Sequence, residues 1–267
     1  MKTSNPEVIE TKKRQGFRVY ELEGLEEKVI ARKGGPSYQQ VKNSPSYQDL
    51  RKNQREFGVA SMMAKEVRQS LPVLLSEICE SYTSGKLTAR FRKLAQKVKG
   101  VIGSRPLLVS EQGQVLKGFE FNSRYPFRKV FQATFLLKPS STRGHFIFHF
   151  PSYVPELKIN SPKGSTHYKL FSHLIALSDF ECEAPGNQYK AVDPESLGRS
   201  TTLKIDMQPL CRIPLDPMTT HISISNGKEI SRKSGLILLM GIQFYRYESA
   251  RYDKVKNGNA MQIYEVF

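Results

Sequence analysis

The hydrophobic period of the chain changes near residue 105, and this change constrains the fold more than any other feature. Before residue 105, apolar residues recur every three or four positions, which is the spacing of amphipathic helices. After it, alternating runs rich in aromatic and β-branched residues are separated by turn-forming clusters, which is typical of antiparallel strands. The sequence therefore predicts an α+β protein in which an N-terminal β-hairpin and helical region, about 1–105, precedes an antiparallel β-sandwich, 106–267.

The first part of the chain has the pattern of a hairpin followed by an arm. Two short alternating runs, 16–20 and 28–32, flank an acidic connector at 21–27. This arrangement predicts two paired strands. The polar, proline-bounded stretch 36–45 then predicts an extended segment.

Helical spacing dominates from residue 46 to residue 99. Ser46 is a suitable N-cap for a helix at about 47–70, and Pro72 suits the first position of a second helix at about 72–82. A third helix is predicted at about 86–99. The first two share a heptad-like apolar stripe, which we interpret as a candidate association surface or, alternatively, as a face packed on the chain's own β-domain. The stripe consists of Phe57, Ala60, Ala64, Val67, Leu71, Leu74 and Ile78.

The chain is strongly basic, with 41 Lys and Arg against 25 Asp and Glu, a formal net charge of +16. Such a charge favours polyanions, namely nucleic acid, anionic lipid or an acidic protein. The densest segment is 86–105, where four cations follow the helical period and lie beside the apolar stripe of the third helix. Either this is an ordinary solvated helix face, or it contacts a polyanion or an acidic partner. The candidate contact residues are Lys86, Arg90, Arg92, Lys93, Lys97, Lys99 and Arg105.

Beyond residue 105 the sequence predicts strands separated by turns. Asn257-Gly258 is the strongest hairpin signal, because both residues accept positive φ. The predicted strands lie at 119–121, 129–137, 144–150, 167–177, 203–207, 235–247 and 260–267.

Patterns typical of catalysis or metal binding are sparse. His145 and His149 lie on one face of a predicted strand, but about 13 Å apart, too far for one zinc ion. Asp179, Glu181 and Glu183 alternate along another strand, which we interpret as a solvated face. No phosphate-binding loop, nucleophile elbow or HExxH motif occurs. We therefore predict a non-enzymatic protein with no catalytic residues, cofactor or metal, and keep a hydrolase with a scattered triad as an alternative class.

The cysteines and the hydropathy of the chain indicate the compartment. No apolar run approaches the ~18 residues that a membrane span requires. Cys79, Cys182 and Cys211 are odd in number and have no CxxC spacing, which predicts reduced thiols and a cytoplasmic protein.

Both ends of the chain resemble a known group of sequences. Residues 31–35, 42–53 and 56–58, together with 241–245 and 256–260, resemble an uncharacterised protein family of about this length in Bacteroidota. This resemblance implies a full-length match, and it brings no activity, cofactor or catalytic residue with it.

A second likeness concerns the N-terminal part alone. The Asn43-Ser44-Pro45 turn and the helix segment 51–57, which follow the predicted hairpin, are similar to a pattern in some phage- and prophage-encoded structural proteins. The pattern does not extend to a long β-rich domain. This similarity implies a role in assembly.

Together these features favour a structural or scaffolding subunit of a larger protein assembly, acting through self-association or partner docking. The alternative is a sequence-independent nucleic-acid-binding protein that uses the basic helix 86–99.

Overall fold

The computed structural model describes residues 2–22, 24–32, 34–184, 188–224 and 229–267, except for the side chain of Leu74. The chain divides into two compact units, Met1–Arg51 and Lys52–Phe267. The expected boundary near residue 105 is therefore not where the chain divides. The reason is that the helices that follow Arg51 share one hydrophobic core with the sheet.

The first unit contains the predicted hairpin. Phe17 pairs with Arg32 and Tyr20 pairs with Val29, so the antiparallel pairing is confirmed. The stretch expected to be extended, 36–45, contains a short helix instead, because Ser37 and Gln40 form a reciprocal capping box. The elements of this unit are β1 (Lys2–Thr3), α1 (Pro6–Arg14), β2 (Phe17–Tyr20), β3 (Lys28–Arg32) and α2 (Tyr38–Asn43), with strand order β1-β3-β2.

The first helix of the second unit is a long one. The predicted helix at 72–82 shrinks to one turn after Pro72. The next helix begins at Thr83, whose hydroxyl donates a hydrogen bond to the carbonyl of Phe121, so the predicted break at 83–85 is absent. The helices are α3 (Gln48–Gln69), α4 (Val73–Ser76), α5 (Thr83–Lys97), α6 (Val109–Gln112), α7 (Phe127–Val130) and α8 (Pro155–Lys158).

Two long antiparallel strands form the centre of the second unit. They pair from Ser234 opposite Ser178 to Tyr245 opposite His167, and short strands flank each of them. All of the described pairings are antiparallel. The strands are β4 (Leu136–Pro139), β5 (His145–Phe150), β6 (His167–Ser178), β7 (Phe180–Cys182), β8 (Tyr189–Ala191), β9 (Ser200–Lys204), β10 (Gln208–Pro209), β11 (Met218–Ser223), β12 (Ser234–Glu248), β13 (Arg251–Lys254) and β14 (Ala260–Val266).

Both faces of the six-stranded sheet are covered. Odd-numbered residues of β6 and β12, such as Phe171 and Leu239, pack against α3 and α5. Even-numbered residues, such as Leu174 and Leu238, pack against the three-stranded sheet β11-β5-β4. The α+β class is confirmed, and the two packed sheets carry an additional helical layer. No helix in the described ranges is long and apolar enough to cross a bilayer.

Several predicted β elements differ in the structure. Segments 119–121 and 129–137 contribute mainly isolated bridges and α7, and strand pairing begins only at Leu136. Asn257-Gly258 forms a turn with Gly258 at φ +85°, but the strands on either side of it both pair with β12. The two-residue hairpin loop is Ser249-Ala250, with φ values of 50° and 62°.

Candidate functional site

Helix α5 presents a row of cations beside its buried face. Leu87, Phe91 and Leu94 are fully buried in the core between α5 and the sheet. This anchors the helix, so that the cations that follow the same period lie at the edge of the covered face. Lys93 and Lys97, one turn apart, are exposed. We call Lys86, Arg90, Lys93, Lys97 and the adjacent Lys99 the basic ridge.

The three C-terminal lysines of the basic ridge make no polar side-chain contacts with other described residues. Lys93, Lys97 and Lys99 are exposed, and none forms an ion pair or side-chain hydrogen bond with a residue in the described part of the chain. Their ammonium groups are therefore available to an anionic ligand.

Lys86, by contrast, is paired within the molecule. Its Nζ forms an ion pair with Glu80, which also accepts a hydrogen bond of 2.8 Å from the Ser123 hydroxyl. The hydrogen bond from Lys86 holds the pKa of Glu80 below its ordinary value. Lys86 thus contributes less net positive charge to the ridge than the three lysines that follow it.

Each of the two arginines on α5 contacts a hydrogen-bond acceptor within the protein. Arg90 Nη1 lies 3.4 Å from the carbonyl of Val115, and Arg92 Nη2 donates to Asn53 Oδ1 at 3.0 Å. Both side chains are half-buried. Arg92 therefore joins α5 to α3 as well as adding positive charge.

Arg105 belongs to a buried ion pair, which corrects its prediction as a contact residue. Its Nε and Nη2 donate to the two carboxylate oxygens of Glu56 at 2.9 and 2.7 Å. The Gly103 N–H also donates to Glu56, at 2.7 Å. Glu56 is 0% exposed and the Arg105 side chain 16%. Burial alone raises the pKa of Glu56, but the hydrogen bonds from Arg105 and Gly103 outweigh it and bring the pKa below its ordinary value.

The apolar stripe of the helical region is part of the chain's own core. Leu71 and Ile78 are buried with the alanines and Val67 of the stripe, whereas Phe57 is 50% exposed. The side chain of Leu74 lies outside the described structure. The buried face of α3 instead passes through Glu56, Val59, Ala60, Met63, Ala64 and Val67. The stripe is therefore not an open association surface.

On the strand that carries His145 and His149, the alternating phenylalanines face the core. Phe146, Phe148 and Phe150 are buried in the core between the two sheets. His149, on the opposite face, lies 3.0 Å from the hydroxyl of Thr219.

The three alternating carboxylates do not share an environment. Asp179 is buried and accepts a hydrogen bond of 2.9 Å from the Ser110 N–H. Burial raises its pKa despite that hydrogen bond. Glu181 and Glu183 are exposed, and Glu183 pairs with Lys190. Among the described residues, no three His, Cys, Asp or Glu side chains come together in a group that could hold a metal ion.

Sequence reasoning missed a buried serine–histidine contact. His173 Nε2 lies 3.3 Å from the Ser70 hydroxyl, and its Nδ1 lies 2.7 Å from the Thr202 hydroxyl. Burial lowers the pKa of His173 to about 4. The Ser70 hydroxyl donates to the carbonyl of Val67 at 2.8 Å, so its proton is not directed at the imidazole. This geometry joins α3 to the sheet and does not resemble an activated nucleophile.

Comparison with known proteins gives no matching family model, no matching curated protein and no matching solved structure. The two resemblances of the sequence therefore stay predictions.

Proposed function

We propose that this chain is a non-enzymatic, sequence-independent nucleic-acid-binding protein. The observation that carries the proposal is the basic ridge, in which Lys93, Lys97 and Lys99 are exposed and have no acidic partner among the described residues. Lysine ammonium groups neutralise phosphates and carry no base information, which favours binding without sequence preference.

The spacing of the ridge suits a phosphate backbone. Residues four apart on a helix rise by about 6 Å, and successive nucleotides of one strand rise by about 3.4 Å. Phosphates lie away from the duplex axis, so neighbouring phosphates of one strand are farther apart than this axial rise, and the flexible side chains of Lys93 and Lys97 can reach two neighbouring phosphates. The proposal includes a cytoplasmic location, which the free cysteines support.

The test is the salt dependence of binding to a random-sequence duplex. Log affinity should fall linearly with log salt, by about 0.9 per neutralised phosphate. Lys93→Gln/Lys97→Gln should weaken binding and flatten the slope by about 2. The fold should survive, because both side chains are exposed.

A matched control removes the same charge elsewhere. Lys138 on β4 and Lys158 on α8 are exposed and belong to the side of the six-stranded sheet opposite α5. Lys138→Gln/Lys158→Gln should leave the slope near that of the wild type. Equal slopes for the two double variants, or no binding even at low salt, would contradict the proposal.

A second candidate function, a subunit of a protein assembly, is favoured by the first unit. Ile30 is the one buried residue among those described in this unit, while Leu22 and Leu25 are 46% and 40% exposed. A second copy of the chain would cover this apolar surface. Light scattering during size exclusion should then give a multimer that Leu22→Ser/Leu25→Ser converts to monomer; a strict monomer at high concentration would contradict self-association.

A further inference from the structure

Three aromatic rings meet at the open end of the central sheet. Tyr247 and Tyr252 are directly paired across β12 and β13, with ring centroids 4.8 Å apart. The ring of His167 lies 4.9 Å from that of Tyr252 and 6.0 Å from that of Tyr247. The two tyrosines are 48% and 47% exposed. We call His167, Tyr247 and Tyr252 the ring platform.

The ring platform lies on the same side of the sheet as the basic ridge. Directly paired residues of antiparallel strands share a face, and side chains two residues apart along a strand do so as well. His167, Tyr245 and Tyr247 therefore continue the odd-numbered face that carries Phe171 and Leu239 beneath α5. The helical layer covers the inner part of this face and leaves its end open.

Several cations lie on the strands and loops next to the platform. Arg246 Nε donates to the carbonyl of Gly164 at 3.1 Å, next to the exposed Lys163. Arg251, which precedes Tyr252 and lies on the other face of the hairpin, is exposed and pairs with Asp253 at 3.1 Å. On the side towards α4, Lys254 pairs with Glu77 at 2.9 Å and, together with Lys256, lines a cavity of about 410 Å³. Of these cations, Lys254 lies on the ring side of the hairpin, because it pairs with Tyr245, and Arg246 and Arg251 lie on the other side.

We propose that the ring platform stacks unpaired bases, which makes single-stranded nucleic acid the preferred ligand of this protein. Aromatic side chains stack on any base, and adjacent cations bind the phosphates, which is the common arrangement in proteins that bind single strands without sequence preference. Bases inside a duplex do not expose their faces to such rings. The inference rests on the proposed nucleic-acid function and adds the class of strand.

The rings also have a structural role that the test must separate from stacking. The loop that joins β12 to β13 places Ser249 and Ala250 at positive φ without a glycine, which costs free energy. The Tyr247–Tyr252 contact next to this loop stabilises the hairpin. An informative substitution must therefore keep apolar bulk at both positions and remove only the aromatic faces.

The experiment measures the affinity of the full chain for a 12-nucleotide single strand and for a duplex of the same length. Tyr247→Leu/Tyr252→Leu keeps apolar bulk and all charges but removes two rings. It should weaken single-strand binding by about tenfold or more, leave duplex binding within about twofold, and keep the salt slope. The control Tyr247→Phe/Tyr252→Phe keeps both rings and should bind both ligands like the wild type.

The outcomes separate this inference from the function on which it rests. Unchanged single-strand affinity in the leucine variant, or an equal loss for strand and duplex, overturns stacking and leaves the basic ridge intact. A wild-type protein that binds neither ligand overturns both proposals.

A second measurement needs no variant and so does not depend on the hairpin surviving substitution. A single strand that carries 5-iodouridine is photocrosslinked to the wild-type protein, and the adducts are mapped by mass spectrometry. Adducts on Tyr247, Tyr252 or His167 support the platform, and adducts found only elsewhere overturn it.

Discussion

The Glu56–Arg105 pair allows the sharpest test of how this structure is held together. Arg105→Met removes the guanidinium and leaves the buried Glu56 carboxylate with the Gly103 N–H as its remaining described hydrogen-bond donor. Breaking a buried ion pair by removing one partner costs about 3–5 kcal/mol. Since small domains are stable by only about 5–15 kcal/mol, we expect a large fall in the free energy of unfolding.

The assay is urea unfolding of the wild type, Arg105→Met, Glu56→Gln and the double variant, fitted with a shared slope. The double variant removes both charges, so it should be more stable than the sum of the two single losses predicts, by about 1–3 kcal/mol. An Arg105→Met variant within about 1 kcal/mol of the wild type would refute the reasoning.

The pH dependence of the same variants supplies an independent check. In the wild type the pKa of Glu56 is lowered, so the pair stabilises the fold above the unfolded-state pKa and loses this contribution as pH falls through the folded-state pKa. In Arg105→Met, burial without the cation raises the pKa of Glu56, and protonation at acid pH relieves the cost. The stability difference between the two proteins should therefore shrink from pH 7 to pH 4, and a constant difference would contradict this account.

Three further substitutions test other parts of the fold. Burial raises the pKa of Glu120 to about 7, so this carboxyl favours the fold at acid pH and loses that effect as pH rises from about 4.5 to 7. In urea unfolding, Glu120→Gln should therefore be more stable than the wild type by about 2 kcal/mol at pH 8, and no more stable at pH 4. Ser249→Asn/Ala250→Gly should raise the free energy of unfolding by about 1 kcal/mol, and with it the melting temperature, because both positions have positive φ and Asn-Gly adopts such φ values readily. Gly241→Ala should lower stability by about 1–3 kcal/mol or more in denaturant unfolding, because the added Cβ would lie 2.0 Å from Cζ of the Phe171 ring.

Features with a local period could be predicted from the sequence. Helix α5 repeats Leu87, Phe91 and Leu94 at steps of four and three, and a stripe of that width can be buried on only one side. The same holds for the N-terminal hairpin and for the long runs of β6 and β12. A change in period, as near residue 105, marks a change of element type, whereas a compact unit ends where contacts separate, which in this chain is at Arg51.

The buried ion pair depends on contacts that sequence spacing does not reveal. Glu56 and Arg105 are 49 positions apart, so no local pattern joins them. One signal was nevertheless present: Glu56 lies three and seven residues before Val59 and Met63, on the buried face of α3. A single acidic residue on an otherwise apolar face indicates a buried partner of opposite charge.

The sequence analysis did not predict the β12–β13 hairpin at the ring platform, because it located the hairpin from turn-forming residues alone. Asn257-Gly258 has the stronger hairpin signature, yet Ser249-Ala250 closes the hairpin. The difference follows from length, since β12 is long enough to pair with β14 along its first half and with β13 at its end. Because β13 and β14 both pair with β12 along the same edge, the Asn-Gly turn connects these two strands and does not close a hairpin between them.

The length of β12 also explains why an exposed ribbon of rings exists in this fold. Its 15 residues span about 50 Å, and the first twelve are buried while the last three are exposed. The strand therefore extends beyond both of its covering layers. Charged side chains discourage pairing of an open hairpin edge, and this hairpin carries them at Arg246, Glu248, Arg251 and Asp253. In addition to these charges, Tyr247 and Tyr252 place two large rings half-exposed and in contact, on the side of the sheet that also carries Lys93 and Lys97. Aromatic rings that are exposed and in contact offer faces on which bases of a single strand stack, which is why stacking of bases is the first interaction to test.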